Sequence, residues 1–417
     1  MWIGIDDTDS LKGGCTTYLA ALICKKFNVE EYPRLIRLNP NIPFKTRGNG
    51  AVAINVLDSS SSVKTFVLSL IKKYAHLNDP KTNPSIVFID GISGQDRKLL
   101  NNFYQHAVSR FVPIQMARDV AEQTSAEVHT FKNGRGLVGA LAAVGCVFND
   151  RTYEFIAYRS LNASGPRKLD VASVFDMNAQ TYPQTYDNVD FETNRVLITP
   201  HGYDPLFCGI RGETPDVVER AWRMLRPLEE ISLTQIFETN QGTDSHLRRT
   251  NIAGIRPYDC VLFEGVVSAA PRTIAGGHVL FKVSDDSGSI WCAAYKPTGG
   301  FRNVVSRLAV DDIVVCCGGV GRYPNTVNLE KLFVECLIHQ QSPVVPKCCG
   351  RKMTSAGTNK GYKCRKCSRK LRLEELSVVA RERALALGWH EVPPRARRHL
   401  SKPLVREGQI YIRPCNI

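Results

Sequence analysis

Long apolar runs are missing from this 417-residue sequence, and none approaches the length of a membrane span, so no bilayer-crossing helix is expected. No basic region precedes the opening MWIGIDD, whose apolar run ends at Asp6, so a secretory signal is not expected there. The signature G-x-x-x-x-G-K-[ST] does not occur, which excludes a P-loop enzyme. K-x-D-G is equally absent, leaving no lysine motif of the kind that carries an adenylate in RNA ligases and nucleotidyltransferases. Acidic residues are scarce at one end. From Gln341 to Ile417 there are 18 Lys and Arg against 5 Asp and Glu, a net of +13 in a chain whose total is +14. One strongly basic appendage on an otherwise balanced chain points to a polyanionic partner, nucleic acid above all.

Cysteine, by contrast, is plentiful, with 14 residues. Cys24, Cys146, Cys208, Cys260, Cys292 and Cys336 lie singly in apolar stretches and fit reduced core thiols, the usage of a cytoplasmic protein without disulfides. A length of 417 residues and 43% hydrophobic content suffice for about two to four domains with real cores.

The first chemistry-bearing stretch is GIDDTDSLKGGCTTYLA. Trp2, Ile3 and Ile5 read as a short buried strand, and Asp6, Asp7 and Asp9 leave its C-terminal end together. The chain then turns at Gly13-Gly14 and enters a helix with Thr16 or Thr17 near its N-terminus. Two readings fit. Helix amides and hard carboxylate oxygens together suit a phosphate with its magnesium; alternatively one aspartate caps the helix and the others are solvated turn residues. A second stretch, RLIRLNPNIPFKTRGNGAVAI, gathers Arg34, Arg37, Lys45 and Arg47 around the turn Gly48-Asn49-Gly50, a clamp for the phosphates of ATP or RNA. A third, NGRGLVGALAAVG, satisfies G-x-G-x-x-G with Gly134, Gly136 and Gly139, but the preceding AEVHTFKN is a poor strand for a dinucleotide fold. Four serines at 59 to 62 read as a loop within a domain.

From about Ile252 to Val334, period-two strands alternate with Ala-Gly-Gly and Asp-Asp-Ser-Gly turns, the pattern of a five-stranded OB-fold barrel that holds single strands or tRNA. Behind it, Cys364 and Cys367 form a C-x-x-C knuckle, and Cys348-Cys349-Gly350 stands upstream at ribbon spacing for a structural zinc. The upstream sulfurs are adjacent, so Cys349 is the safer ligand and Cys348 completes the set only with an altered turn. Lys363, Arg365, Lys366 and Arg369 around the second knuckle suit phosphate contacts.

Taken in order, GIDDTDS with GGCTTYLA, PRLIRLNPNIPFKTRGNGAV, GRGLVGALAAVG, PHGYDPLFCGIRGE, TNQGTDSHL and the barrel-plus-ribbon tail resemble the archaeal tRNA(Ile) 2-agmatinylcytidine synthetases over nearly the whole chain. The departure is the first ribbon knuckle, where that family usually shows C-x-x-C. The resemblance implies a multidomain α/β and α+β protein: a kinase-like catalytic domain over 1–128, a ferredoxin-like domain over 129–236, an OB-fold over 237–340, and a zinc ribbon with a basic helical tail, ELSVVARERALALGW onward, over 341–417. It implies an ATP-dependent ligase that joins agmatine to the position-two carbon of the wobble cytidine in the isoleucine tRNA with a CAU anticodon. That reaction passes through a phosphorylated cytidine and releases AMP and phosphate.

The cofactors implied are ATP, Mg²⁺ and Zn²⁺. Asp6, Asp7 and Asp9 would hold magnesium and ATP, Thr16 would take phosphate, and Lys45, Arg47, Gly48, Asn49 and Gly50 would meet the phosphates. Asp204 and Glu213, which flank PLFCGIRG, are the candidate carboxylates for agmatine's guanidinium. Zinc would sit on Cys348, Cys349, Cys364 and Cys367. Two other classes remain open, another ATP-dependent RNA-modifying ligase and a non-catalytic tRNA or single-strand binding protein. The second leaves the first 236 residues without a role.

Overall fold

The computed structural model describes residues 1–46, 48–58, 60–321, 323, 325–358 and 360–407, with only the backbone for 340–343 and 381. Arg47, one of the expected phosphate cations, lies outside the described residues. Among the described residues, no helix is long and apolar enough to cross a membrane.

A nine-stranded sheet organises the first 240 or so residues. Its strands are β1 (Trp2–Asp6), β2 (Arg34–Arg37), β3 (Gly50–Asn55), β4 (Ser85–Ile89), β5 (Glu127–Thr130), β6 (Thr152–Arg159), β7 (Thr185–Tyr186), β10 (Leu206–Gly212) and β11 (Ile231–Thr239); the hairpin of β8 (Val189–Asp190) and β9 (Arg195–Val196) stands apart. The order is β5-β4-β1-β3-β2-β11-β6-β10-β7. The parallel pair β2–β11 joins the halves, so the sheet is continuous across residue 128. In β1, Ile3, Gly4 and Ile5 are all buried, as expected for a central strand covered on both faces. Ile3 and Ile5 face the helices α1 (Thr16–Lys26) and α2 (Ser61–Tyr74). The serine run enters α2 directly, with Ser60 at the N-cap and Ser61 and Ser62 in the first turn. The opposite face carries α3 (Gly94–Ser109), α4 (Ile114–Gln123) and α5 (Leu137–Gly145). The second half is covered by α6 (Val171–Thr181) and α7 (Pro215–Met224).

The glycines of GRGLVGALAAVG are explained by packing. A Cβ on Gly4 would lie 2.3 Å from the Ala140 carbonyl oxygen, one on Gly136 2.7 Å from the Asp6 carbonyl oxygen, and one on Gly139 1.9 Å from Asp6 Oδ2. Helix α5 therefore rests directly on β1, an approach only glycine permits. Of the G-x-G-x-x-G run, Gly136 and Gly139 serve this contact, while Gly134 takes a left-handed φ of +70° beside Thr130.

The barrel that follows is closed by β13 (Cys260–Ile274), β14 (His278–Asp285), β15 (Gly288–Ala294), β16 (Ile313–Val320) and β17 (Thr326–Cys336), with the two-residue β12 (Arg248–Arg249) alongside β13. Antiparallel pairs β13–β14, β14–β15, β16–β17 and β13–β16 and the parallel pair β15–β17 complete the circuit. Its core gathers Phe263, Phe281, Phe301 and their aliphatic neighbours.

A two-stranded stalk, Gln340–Pro343 with Val378–Arg381, carries the ribbon of short strands between 347 and 371. The helix expected from ELSVVARERALALGW is not formed. Val378 to Arg381 are in the stalk, and Gly388–Glu391 adds to the barrel beside β17. The β-branched pair Val378-Val379 favours a strand. Gly388 takes φ +103°, Pro393 and Pro394 follow, and the Trp389 ring packs at a tilt 5.1 Å from that of Phe333. Tertiary pairing thus overrides the helix propensity of the intervening Ala, Arg and Leu residues.

The tightness of the α5–β1 contact is testable. Gly139→Ala is expected to destabilise the protein by about 1–3 kcal/mol through overpacking, read as a lowered urea midpoint. Gly94→Ala, where nothing lies within 4 Å of the added methyl, should leave that midpoint unchanged or raise it slightly.

Candidate active site

Two chambers open where β1 ends. The first encloses about 680 Å³ of space, its open mouth included. Asp6, Asp7 and Asp9 line it together with Ile42, Phe44, Phe111 and Val112, and Lys45 and the turn Gly48-Asn49-Gly50 complete the wall. Acidic and aromatic side chains around a chamber of this size suit a nucleotide site. Arg135 stacks on Phe44 with its guanidinium carbon 3.5 Å from the ring centre.

The carboxylates sit in an environment that disfavours their charge. Asp6 lies beneath α5, where its Oδ1 accepts the Asp7 amide at 2.7 Å. Desolvation there, with the Asp7 carboxylate next to it, holds its pKa well above the usual carboxylate range. Asp7 adopts the left-handed φ of +58°, and its Oδ2 accepts the Asn83 amide at 3.0 Å. Burial pushes its pKa up to about 7 against the opposing pull of that amide. Arg135 also favours the charged form of Asp7. Neighbouring hard oxygens with raised pKa values are the kind of donor that a divalent cation of the magnesium class would use.

Helix α1 starts beside them. Gly13 and Gly14 have φ of +144° and +79°, and Cys15, in extended conformation, occupies the N-cap. The cap position is therefore not an aspartate, and the first turn of α1 holds no acidic residue. Thr16 and Thr17 are both buried. Thr16 Oγ1 is 2.9 Å from Thr8 Oγ1, and Thr17 Oγ1 is 3.0 Å from Cys15 Sγ.

Both threonines line the second chamber, as do Arg37, Glu154, Asp204, Arg211 and His399. Asp9, Gly48 and Gly50 line both chambers, so the two meet there. Asp204 is buried on the second chamber's wall and paired with Arg167 at 3.1 Å. Glu213 does not line that chamber and is held by Arg406, its Oε1 2.5 Å from Nε. Lys45 Nζ donates to the Pro40 carbonyl, and Asn49 Nδ2 donates to the Asn39 carbonyl at 3.0 Å, which fixes the turn.

Glu154, Arg211, Arg135 and His399 escaped the reading from sequence. Buried Glu154 accepts from Gln241 Nε2 at 2.5 Å and lies 3.8 Å from Arg37 and 3.7 Å from Arg211. In the sequence Glu154 is one acidic residue inside an apolar strand, and that oddity was its only signal.

The Sγ atoms of Cys348, Cys349, Cys364 and Cys367 all lie within 4.8 Å of one another. Cys349 (φ +50°) and Gly350 (φ +77°) both take left-handed conformations, and this altered turn brings the adjacent sulfurs to one point. Backbone amides of Cys367 and Lys366 lower the Cys364 thiol to about 6. Four converging sulfurs, one already biased to thiolate, match a tetrahedral thiolate metal site.

The raised Asp7 pKa makes a stability prediction for the metal-free protein. The unfolded chain releases this proton at about 3.8 and the fold only at about 7. The folded state therefore holds the extra proton between those values, and stability falls as pH rises through that window. Asp7→Asn should remove this slope. In urea titrations the variant should gain on the parent with rising pH, by up to about 4 kcal/mol at pH 8.

Comparison with known proteins places these features in one family. Family models match the "TiaS TCKD domain" over residues 2–67, the "TiaS FLD domain" over 134–246, an "OB-fold nucleic acid binding domain" over 261–335 and the "TiaS C-terminal zinc ribbon domain" over 345–385. The tRNA(Ile) 2-agmatinylcytidine synthetase TiaS of Methanosarcina mazei is 43% identical over 98% of this chain and 97% of its own. That of Methanocaldococcus jannaschii is 39% identical over 97% and 98%. Among solved structures, a complex of TiaS with tRNA(Ile) and ATP superposes with a TM-score of 0.88 at 40% identity, covering 99% of both chains. A complex of TiaS with tRNA(Ile), AMPCPP and agmatine gives 0.85 at 38%, again over 99% of both. Full-length likeness at this identity, on the same succession of domains, makes the chain a member of the tRNA(Ile) 2-agmatinylcytidine synthetase family.

Proposed function

We propose that this chain is an ATP-dependent ligase of the cytoplasm that joins agmatine to the position-two carbon of the wobble cytidine in the isoleucine tRNA with a CAU anticodon. AMP and two phosphates are released: one carries off the base's former oxygen, and the other leaves by transfer to water. The observation that carries this reading is the meeting of a nucleotide-shaped chamber and a second chamber at Asp9, Gly48 and Gly50.

The chemistry follows from the leaving group. A cytosine carbonyl oxygen departs poorly, whereas the same oxygen bearing a phosphoryl group departs as phosphate when an amine attacks the ring carbon. Transferring that phosphoryl group is a matter of positioning and charge neutralisation. In this reading Asp6, Asp7 and Asp9 hold magnesium, which would supply charge neutralisation to the triphosphate. Lys45, Arg47 and the turn Gly48-Asn49-Gly50 meet the phosphates. The aromatic wall residues Phe44 and Phe111 meet the adenine, and the wobble base, flipped from its stack, enters the second chamber. Asp204, already on that wall, is the better placed of the two candidate carboxylates for agmatine's guanidinium. Thr16, at the start of α1, is the hydroxyl that takes phosphate. Cys348, Cys349, Cys364 and Cys367 hold zinc, and the ribbon they fold grips tRNA phosphates.

Mass spectrometry of the wobble nucleoside after incubation with ATP, agmatine and the tRNA tests the reaction; an unchanged cytidine overturns it. Asp7→Asn should abolish AMP formation, because losing a carboxylate leaves the triphosphate charge uncompensated. Thr16→Ala should take no label from γ-labelled ATP while Thr17→Ala still does. The reverse pattern moves the acceptor by one residue.

The stalk offers a clean test of the ribbon, since Pro343 and Val378 are paired and their ends adjacent. Replacing residues 344–377 by a short Gly-Ser link should weaken tRNA binding and flatten its salt dependence, with ATP binding kept. An unchanged salt slope would remove the ribbon from the tRNA site.

A further inference from the structure

Beyond the ribbon the chain returns to the catalytic half, and residues 394–407 cross the joint between sheet and barrel. Arg395 pairs with Asp190 at 2.6 Å, and Arg398 with Glu330 at 3.2 Å. The Gly242 amide donates to the His399 carbonyl at 2.8 Å, and the Thr243 and Asp244 amides to that of Leu400 at 3.2 and 2.8 Å. Leu400 itself is only 1% exposed, within the core formed by β2, β3, α3 and α5. His399 is thereby fixed on the wall of the second chamber, and it also faces the recess behind Lys45, Gly48 and Asn49.

Its hydrogen bonding defines its tautomer. Arg211 Nη2 lies 2.8 Å from His399 Nδ1, and a guanidinium can only donate, so Nδ1 accepts. The ring proton then belongs on Nε2. The nearby charge of Arg37, then desolvation, Arg211 and Lys45, hold the imidazole well below its usual pKa, which keeps it neutral. Nε2 points toward the turn between the chambers, where a Cβ on Gly48 would lie 3.2 Å from Nε2 and 2.9 Å from Arg37 Nη1. Glycine at 48 leaves that corner open. The groups converging there are an N–H donor and cations, with Glu154 as the buried anion between Arg37 and Arg211.

We propose that His399 is a further residue of the ligation, its Nε2–H acting beside Arg37 as a donor to the oxygens of the phosphoryl group that passes from the nucleotide chamber to the base. This rests on the functional reading given above. Histidine suits the position because it adds a directed donor without adding a fourth positive charge to Arg37, Arg211 and Lys45. The tail thus supplies a side chain to the reaction as well as a connection to the ribbon.

The test uses the full chain with the tRNA, ATP and agmatine. His399→Ala should slow agmatinylcytidine formation at saturating substrates by about 10²-fold, with tRNA and ATP dissociation constants within about threefold of the parent. His399→Gln presents an amide donor at the position of Nε2, and should recover at least about tenfold of that loss. It also preserves bulk, so it carries the test if the alanine variant fails to fold. A parental rate in His399→Ala overturns the proposal. So does a Gln variant as slow as the Ala variant at unchanged affinity, or a loss in both that appears only as weakened tRNA binding. An inactive parent would instead overturn the functional reading, which separates the two failures.

Discussion

Helix α5 lies so close to the first strand that no side chain fits between them, and the active end of the protein depends on that contact. With Gly4, Gly136 and Gly139 lacking a Cβ, the α5 backbone comes down onto Asp6 and strips away part of its hydration. Asp6 and Asp7 then carry their charge at a cost, which a bound cation would offset. The same contact sets where β1 ends and hence where α1 can begin. The carboxylates, the Gly13-Gly14 turn and the two threonines form one surface because a single strand and its covering helix are locked together.

The turn at 48–50, which both chambers share, is held from three directions. Asn49 bonds back to Asn39, and Asn39 Nδ2 donates to the Tyr258 carbonyl at the edge of the barrel at 2.8 Å. Asn41 Nδ2 reaches Cys260 Sγ on β13 at 3.1 Å. Arg398, from the tail, donates to the Pro40 carbonyl at 3.2 Å. The loop thus rests on the barrel and the tail as well as on its own sheet. A shift of barrel or tail against the sheet would strain these short, directed bonds.

Much of this was legible in the sequence where local chemistry decides. A strand ending in three aspartates, a Gly-Gly turn into a helix, period-two strands and a C-x-x-C knuckle each reflect short-range rules, and each lies where those rules put it. The illegible parts depend on partners distant in the chain. The segment after Glu375 has the composition of a helix, yet it forms strands because the stalk and β17 offer it open edges. His399 carried no signal within RARRHL, since its role is set by Arg37 and Arg211, far upstream. The G-x-G-x-x-G run did not read as a dinucleotide site, and its later glycines have another use: the close backbone approach that seats a pyrophosphate in other folds here seats a strand.

The basic tail shows why a charge count is not yet a surface. The net of +13 after residue 341 suggested one positive field, but the described side chains fall into two populations. Between 345 and 376 there are ten Lys and Arg and two Glu, and every one of the ten is exposed. After the stalk the pattern changes. Arg383 pairs with Asp312, Arg395 with Asp190 and Glu192, Arg397 with Asp187 and Glu391, Arg398 with Glu330, and Arg406 with Asp150 and Glu213. These arginines are compensated inside the protein by acids that the sheet and barrel contribute. Their charge fastens the returning chain across the joint, where bidentate geometry and partial burial favour guanidinium over ammonium. The ribbon therefore carries the uncompensated exposed cations of this segment, while the arginines behind it hold the returning chain against the sheet and barrel.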